Sequence, residues 1–188
     1  MQKPIQLLLP VPLDAKLHDR EAFSCGVSEL DTFLKTRARK EAEQNLNKTF
    51  VLTRAEKPQE IIGYYTLSTR HIPVNDMPAE LSKRLPRYNH LGVTLLGRFA
   101  IAEKYQSATS PKQSLGPLLS TDVKLRTYKA AQAVASFGLL VDVLVGEKGD
   151  PTGFYLKFDF QQFPHNHSRL FLPMKTIEKT LRAANLID

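Results

Sequence analysis

The sequence has almost no cysteine: Cys25 stands alone among 188 residues, and tryptophan is absent. A single thiol excludes an internal disulfide and any metal cluster built from cysteines. It suits a reducing compartment, with Cys25 as a buried structural residue. Glycine is scarce too, at nine residues. The one strand–loop–helix stretch suited to a phosphate, residues 94–122, has only Gly116 at its helix entry, where phosphate loops usually carry several glycines. Long hydrophobic runs are missing. The apolar stretch from Ile5 is broken by Pro10 and Pro12 and lacks a small-residue cleavage site, so no signal peptide is expected. No run reaches the length that crosses a bilayer, and a cytoplasmic location without a membrane partner is expected. Acidic residues are outnumbered, 19 against 26 Lys+Arg, giving a net charge of +7. That excess leans toward polyanionic partners such as nucleic acid or a phosphorylated cofactor.

What remains is ordinary for a globular chain: 42% hydrophobic and 24% charged residues. The length suits one domain, residues 1–188, with a core of real size. Residues 5–18 read as an irregular entry and a first strand ending near 16–18. Ser28, Glu29 and Asp31 read as a helix start, with Ser28 as cap and the acids in the first turn. Leu30, Phe33, Leu34, Ala38 and Ala42 recur at helical spacing and predict a buried face to about residue 44. The opposite face carries Lys35, Arg37, Arg39 and Lys40, a solvated face by default and an RNA contact on the sharper reading.

Residues 49–53 and 61–68 are β-rich, and the charged connection between them suggests a hairpin. Residues 78–85 read as a short helix opened by proline, and 85–90 as loop. Residues 92–102 predict a central strand, apolar on both faces and therefore buried. A long helix over 118–136 and a buried strand over 139–145 follow, and strand–helix–strand argues a right-handed parallel crossover. A short helix at 154–158, strands at 161–163 and 169–172, and a helix at 176–184 complete the chain. The fold class expected is α/β (α+β): a mixed, mostly antiparallel sheet with one parallel pair and flanking helices.

Residues 94–122 carry the chemistry. An apolar run broken by Arg98 leads through a polar loop to a helix entered at Ser114-Leu115-Gly116-Pro117, and a helix N-terminus offers backbone N–H groups to a phosphate. Glu103 and Asp122 are the nearest acids, and solvation accounts for both. His165 and His167 lie in a proline-containing turn without carboxylates, so they are expected to be exposed, with no metal.

An ordered set of short motifs then runs from about residue 16 to 176: His18-Asp19-Arg20, Phe23, Cys25-Gly26, Leu30-Asp31, Phe33-Leu34, Thr49-Phe50-Val51 and Gly63-Tyr64-Tyr65-Thr66-Leu67. Leu85-Pro86-Arg87-Tyr88, Leu96-Gly97-Arg98-Phe99-Ala100-Ile101, Gly153-Phe154-Tyr155 and Arg169-Leu170-Phe171-Leu172-Pro173-Met174 continue it. The set resembles the GNAT-superfamily N-acetyltransferases of the bacterial toxin class. The resemblance implies acetyl-CoA as acetyl donor, aminoacyl-tRNA as acceptor with translation blocked, and a ribbon-helix-helix antitoxin as protein partner. Homodimers are common in that family.

The resemblance also implies that the central strand splays from its parallel neighbour. The pantetheine amides would then pair with the backbone of Phe99, Ala100 and Ile101. The pyrophosphate would sit on N–H groups of Gln113, Ser114, Leu115, Gly116 and Leu118. Tyr155 stands where the family places the acid that protonates the leaving thiolate. An α-amine with a pKa of about 8 needs no dedicated base. Arg37, Arg39, Lys40, Arg87 and Arg98 are the candidate RNA contacts. The chain departs from the family's loop, Q/R-x-x-G-x-G/A: Ser114 takes the first glycine position, Pro117 removes an N–H, and Ala102 replaces an acid. A backbone with φ > 0 at Ser114 would cost about 1 kcal/mol. Two competing expectations are an acetyltransferase for a protein or small amine, and a non-catalytic module of the same fold.

Overall fold

The structure is a computed structural model and describes residues 7–85, 88–106, 115–146 and 148–188. Among these residues seven strands form one sheet in the order β1-β2-β3-β4-β5-β7-β6. They are β1 (Val11–Pro12), β2 (Lys48–Leu52), β3 (Gly63–Pro73), β4 (His90–Ile101), β5 (Gly138–Asp142), β6 (Gln161–Phe163) and β7 (Asn166–Pro173). The helices are α1 (Ser28–Thr32), α2 (Ala38–Glu43), α3 (Ala79–Ser82), α4 (Leu115–Ala133), α5 (Thr152–Leu156) and α6 (Met174–Ala183). β2 and β3 make the expected hairpin, in register from Lys48↔Leu67 to Leu52↔Gly63. β4 and β5 are parallel, with Thr94↔Leu139 to Leu96↔Val141 paired, and α4 is the connection between them. Short antiparallel ladders join β5 to β7 and β7 to β6.

The chain divides into two compact units. The first comprises Met1–Leu67 with Arg98–Asp122, and the second Ser68–Gly97 with Val123–Asp188. In the first, Phe23, Phe33, Leu34, Leu52, Ile62 and Tyr64 are buried. Each such side chain contributes about 1.5–3 kcal/mol on leaving water. Gly63 lies where a Cβ would come within 3.0 Å of the Ala100 carbonyl oxygen, a close backbone approach that a side chain would crowd. In the second unit, Ile72, Met77, Leu91, Val93, Leu140, Phe163 and Phe171 form one apolar cluster. Gly138 is tighter still: a Cβ there would stand 2.3 Å from the Leu172 carbonyl oxygen and 2.6 Å from the Phe171 ring.

Several sequence expectations are corrected. The first strand is the two-residue β1, not one ending at 16–18; residues 15–17 form a turn. The N-cap of α1 is Val27, not Ser28, which is the first helical residue. Between α1 and α2 the helix widens into a π turn, Phe33–Arg37, closed by the Ala38 N–H on the Phe33 carbonyl. β5 ends at Asp142; Leu144 and Val145 are exposed, and Val143 donates its N–H to Ser168. Here the apolar pattern outruns the ladder that would bury it.

Candidate active site

β4 is the organising strand, and its burial changes face along its length: Leu91 and Val93 are buried on one side, Leu96 and Ala100 on the other. Leu91, Val93, Leu96 and Ala100 are buried, whereas Gly92 and Gly97 are exposed, and Thr94, Leu95, Arg98, Phe99 and Ile101 are half-buried. The expectation of a strand buried on both faces is met only in part: each face is buried over a stretch, and neither along its whole length. The parallel ladder stops at Leu96↔Val141, yet β4 continues to Ile101. That early stop, one residue before β5 itself ends, leaves Phe99, Ala100 and Ile101 beyond the last β5 partner. Their end of the strand is tied down locally. Ala102 donates its N–H to Ile62 at 2.8 Å, and Gln106 Nε2 donates to Ile101 O at 2.8 Å and to Cys25 O at 3.0 Å. A cavity of about 410 Å³ beside Ala102 is lined by Asp19, Ser24, Glu60, Glu103 and Lys104, and by none of Phe99, Ala100 or Ile101.

Gln113 and Ser114 lie outside the described residues, as does Arg87. α4 begins at Leu115; Leu115 and Gly116 are buried and Leu118 is 38% exposed. Pro117 sits in the first helical turn, where its missing N–H has no intrahelical acceptor to lose. Its carbonyl accepts the Thr121 hydroxyl at 2.9 Å. Asp122 is not a merely solvated acid: it accepts a hydrogen bond from the hydroxyl of Tyr65, a fully buried residue stacked on Phe50.

Tyr155 lies on α5 and is 9% exposed. Its ring meets Phe154 edge-on at 5.2 Å and Phe160 at 5.5 Å, so the ring position is set by packing. The turn after it is closed by Asp159 in the left-handed region (φ 67°), and the Phe160 N–H returns to the Tyr155 carbonyl. Burial pushes the phenol above its ordinary value of 10. A phenol so placed stays protonated at neutral pH, the state a proton donor requires. Its hydroxyl makes no hydrogen bond among the described residues.

Lys124 of α4 was missed in the sequence. It is 4% exposed, with Nζ 5.4 Å from the Phe158 ring centroid. Burial lowers its pKa and the Asp159 charge partly restores it. The available signal was helical spacing: Lys124 and Thr127 lie three apart beside Val123, and both are buried.

Of the basic candidates, Arg37 pairs with Glu41 and Arg39 with Glu43, and Lys40 is exposed. Arg98 lays its guanidinium 3.7 Å from the Phe33 ring centroid. His165 and His167 are exposed, and among the described residues no group of three or more His, Cys, Asp or Glu could hold a metal. Nor is any helix among them long and apolar enough to cross a membrane.

Relatives give this geometry a family. No protein-family model matches the chain. It is 30% identical, over 84% of its length and 87% of the relative's, to the tRNA-acetylating toxin of Mycobacterium tuberculosis (strain ATCC 25618 / H37Rv). The chain belongs to the tRNA-acetylating toxins. A probable toxin TacT of Sinorhizobium fredii (strain NBRC 101917 / NGR234) is 28% identical over 90% of this chain and 93% of its own. Among solved structures, a tyrosine-to-phenylalanine mutant of KacT aligns with a TM-score of 0.82 and 30% identity, covering 93% of this chain and 99% of its own. AtaT complexed with acetyl-methionyl-tRNAfMet aligns at 0.80 with 26% identity, covering 94% and 99%. An AtaT tyrosine-to-phenylalanine mutant bound to the C-terminus of the antitoxin AtaR and acetyl-CoA aligns at 0.74 with 25% identity, covering 94% and 98%. The mixed sheet, with one parallel strand pair among the described residues, is the fold of this family.

Proposed function

We propose that the protein transfers the acetyl group of acetyl-CoA to the α-amino group of an aminoacyl-tRNA, and that it is the toxin of a toxin–antitoxin pair acting in the cytoplasm. The observation that carries this reading is the likeness, across 94% of the chain, to AtaT holding acetyl-methionyl-tRNAfMet. The likeness to AtaT bound to acetyl-CoA and to part of AtaR supports the donor and the protein partner.

Within one domain spanning the chain, each residue has a role that its chemistry supports. The backbone of Phe99, Ala100 and Ile101 pairs with the pantetheine amides, a role favoured by β4 outrunning its parallel ladder. The N–H groups of Gln113, Ser114, Leu115, Gly116 and Leu118 receive the pyrophosphate. Acetyl-CoA supplies an activated thioester. The neutral α-amine attacks the thioester carbonyl, a C–N bond forms and the C–S bond breaks. Tyr155 Oη gives its proton to the departing thiolate, and the amine's surplus proton passes to water. The basic residues Arg37, Arg39, Lys40, Arg87 and Arg98 contact the RNA.

The test incubates purified protein with labelled acetyl-CoA and a panel of aminoacyl-tRNAs. Label should appear on the aminoacyl group of at least one tRNA; label on none of them refutes the reading.

A further inference from the structure

Arg98 stands apart from the arginines whose partners are described. Arg37 has Glu41, Arg39 has Glu43, Arg54 has Glu60 and Arg169 has Asp142. Among the described residues Arg98 has no carboxylate partner, and its Nε is buried with no hydrogen-bond partner at all. A buried donor without an acceptor is costly, and more so on a charged group. Such an atom in a native fold asks for an acceptor from outside the chain.

The guanidinium is held ready for one. Its Cζ lies 3.7 Å from the centroid of Phe33, a side chain only 1% exposed. Phe33 is stacked on Tyr64 (6.2 Å, 19°), and Tyr64 is fixed in turn by Phe23 edge-on at 5.4 Å and by its hydroxyl on the Leu30 carbonyl at 2.8 Å. The platform is rigid, so the planar cation loses little freedom when it binds. A second guanidinium, Arg37, reaches the same ring at 5.9 Å from the end of the π turn that begins with Phe33. Two cations thus address one ring, and Glu41 is the one acid paired with either of them among the described residues. π turns are rare and recur at functional sites. Local charge is left positive, and the fork of an arginine matches the paired oxygens of a phosphodiester.

Position selects the ligand. Arg98 immediately precedes Phe99, where the proposed pantetheine backbone begins, and a strand advances about 3.3 Å per residue. An anion on Arg98 therefore sits near the reacting end of the donor rather than at a remote surface. In an aminoacyl-tRNA the phosphodiester nearest the reactive amine is that of the terminal nucleotide. A free amino acid carries no phosphate.

We propose that Arg98, on its Phe33 platform and with Arg37 beside it, seats a phosphodiester next to the aminoacylated end of the acceptor RNA. It is thereby the residue that makes the enzyme favour an RNA-borne amino acid. This rests on the aminoacyl-tRNA reading given above.

The experiment compares wild type, Arg98→Gln and Arg98→Lys on two acceptors, an aminoacyl-tRNA and the matching phosphate-free 3′-aminoacyl-adenosine. Acetyl-CoA affinity is measured alongside by calorimetry. Loss of one charged, bidentate contact should lower kcat/KM on aminoacyl-tRNA by about ten- to a hundredfold in Arg98→Gln. The preference for tRNA over aminoacyl-adenosine should shrink by the same factor. The slope of log KM against log salt should flatten by about one. Arg98→Lys keeps the charge and loses the fork, so it should fall between. If Arg98→Gln does not fold, the lysine variant is read by the same two-acceptor ratio. Equal losses on both acceptors, or an unchanged salt slope, overturn the proposal. So does a variant that keeps its tRNA activity but escapes the antitoxin, which would assign the seat to a carboxylate partner. Wild type that labels no tRNA refutes the functional reading instead, and the two failures are distinct.

Discussion

Replacing Tyr155 by phenylalanine isolates one atom. The ring is held by edge contacts to Phe154 and Phe160, and phenylalanine keeps both. The hydroxyl has no hydrogen-bond partner among the described residues, so its removal breaks no protein contact there. The fold should lose at most about 0.5–1 kcal/mol. Acetyl-CoA binding should persist, because the backbone positions assigned to it are elsewhere in the chain. What disappears is the proton that the proposed mechanism gives to the leaving thiolate. General acid catalysis is typically worth about 10²–10⁴ in rate. That corresponds to about 3–5 kcal/mol of barrier.

The pH profile adds a second reading. Burial pushes the Tyr155 phenol above 10, so the donor stays protonated through the physiological range. The rate should therefore rise with pH as the acceptor amine loses its proton near pH 8, with no descending limb below about pH 10. The assay is single-turnover acetyl transfer to a charged tRNA across pH, with Tm and acetyl-CoA affinity measured on the same samples. A Tyr155→Phe protein that folds, binds acetyl-CoA and transfers at the wild-type rate removes Tyr155 from the mechanism. A descending limb near pH 8 in the wild type would contradict the burial argument.

Three further outcomes follow from the packing. Gly138→Ala forces a Cβ to within 2.3 Å of a β7 carbonyl, so it should cost about 1–3 kcal/mol or more and lower Tm; an unchanged melt contradicts that geometry. Tyr65→Phe removes the hydroxyl bonded to Asp122 and should destabilise by about 1 kcal/mol, read as a lower urea midpoint with an unchanged m-value. His18 is buried and accepts the Asp14 N–H on Nδ1 at 2.9 Å. Burial lowers its pKa below the ordinary 6.5, although Asp14 partly opposes this. Between those values the unfolded chain binds a proton that the folded chain refuses, so stability is full above about pH 6.5 and falls as pH drops. Urea midpoints from pH 7.5 to 5 should show that decline, and His18→Gln should flatten it; equal slopes in the two proteins would count against the assignment.

The parts of the fold legible in the sequence are those in which local pattern and tertiary contact agree. The β-rich residues 49–53 and 61–68, with a charged connection between them, predict a hairpin, and β2 and β3 pair in register. The crossover through α4 is readable because a strand, a helix and a strand in sequence admit one handedness. The pattern misleads where an apolar residue has no ladder to bury it, as at Leu144 and Val145, and where a neighbouring strand stops early, as β5 does beside β4.

The same limit governs the site. The glycines that usually mark a phosphate loop are sparse here, so the proposed cofactor strand is suggested by ordered motifs rather than by composition. Arg98 shows the limit most clearly. In the sequence it is a charge interrupting an apolar strand, which suits an exposed RNA contact. In the fold it is half-buried on Phe33, whose helix register depends on a π turn that no residue spacing announces. Charge alone would make Arg98 exchangeable with Arg39, whose pairing with Glu43 is a solvent-exposed one. An exposed ion pair of that kind is worth little, so loss of Arg39 should be nearly silent in stability and, as a plain phosphate contact, should weaken tRNA binding without changing acceptor preference. Loss of Arg98 should instead appear as a change of acceptor preference.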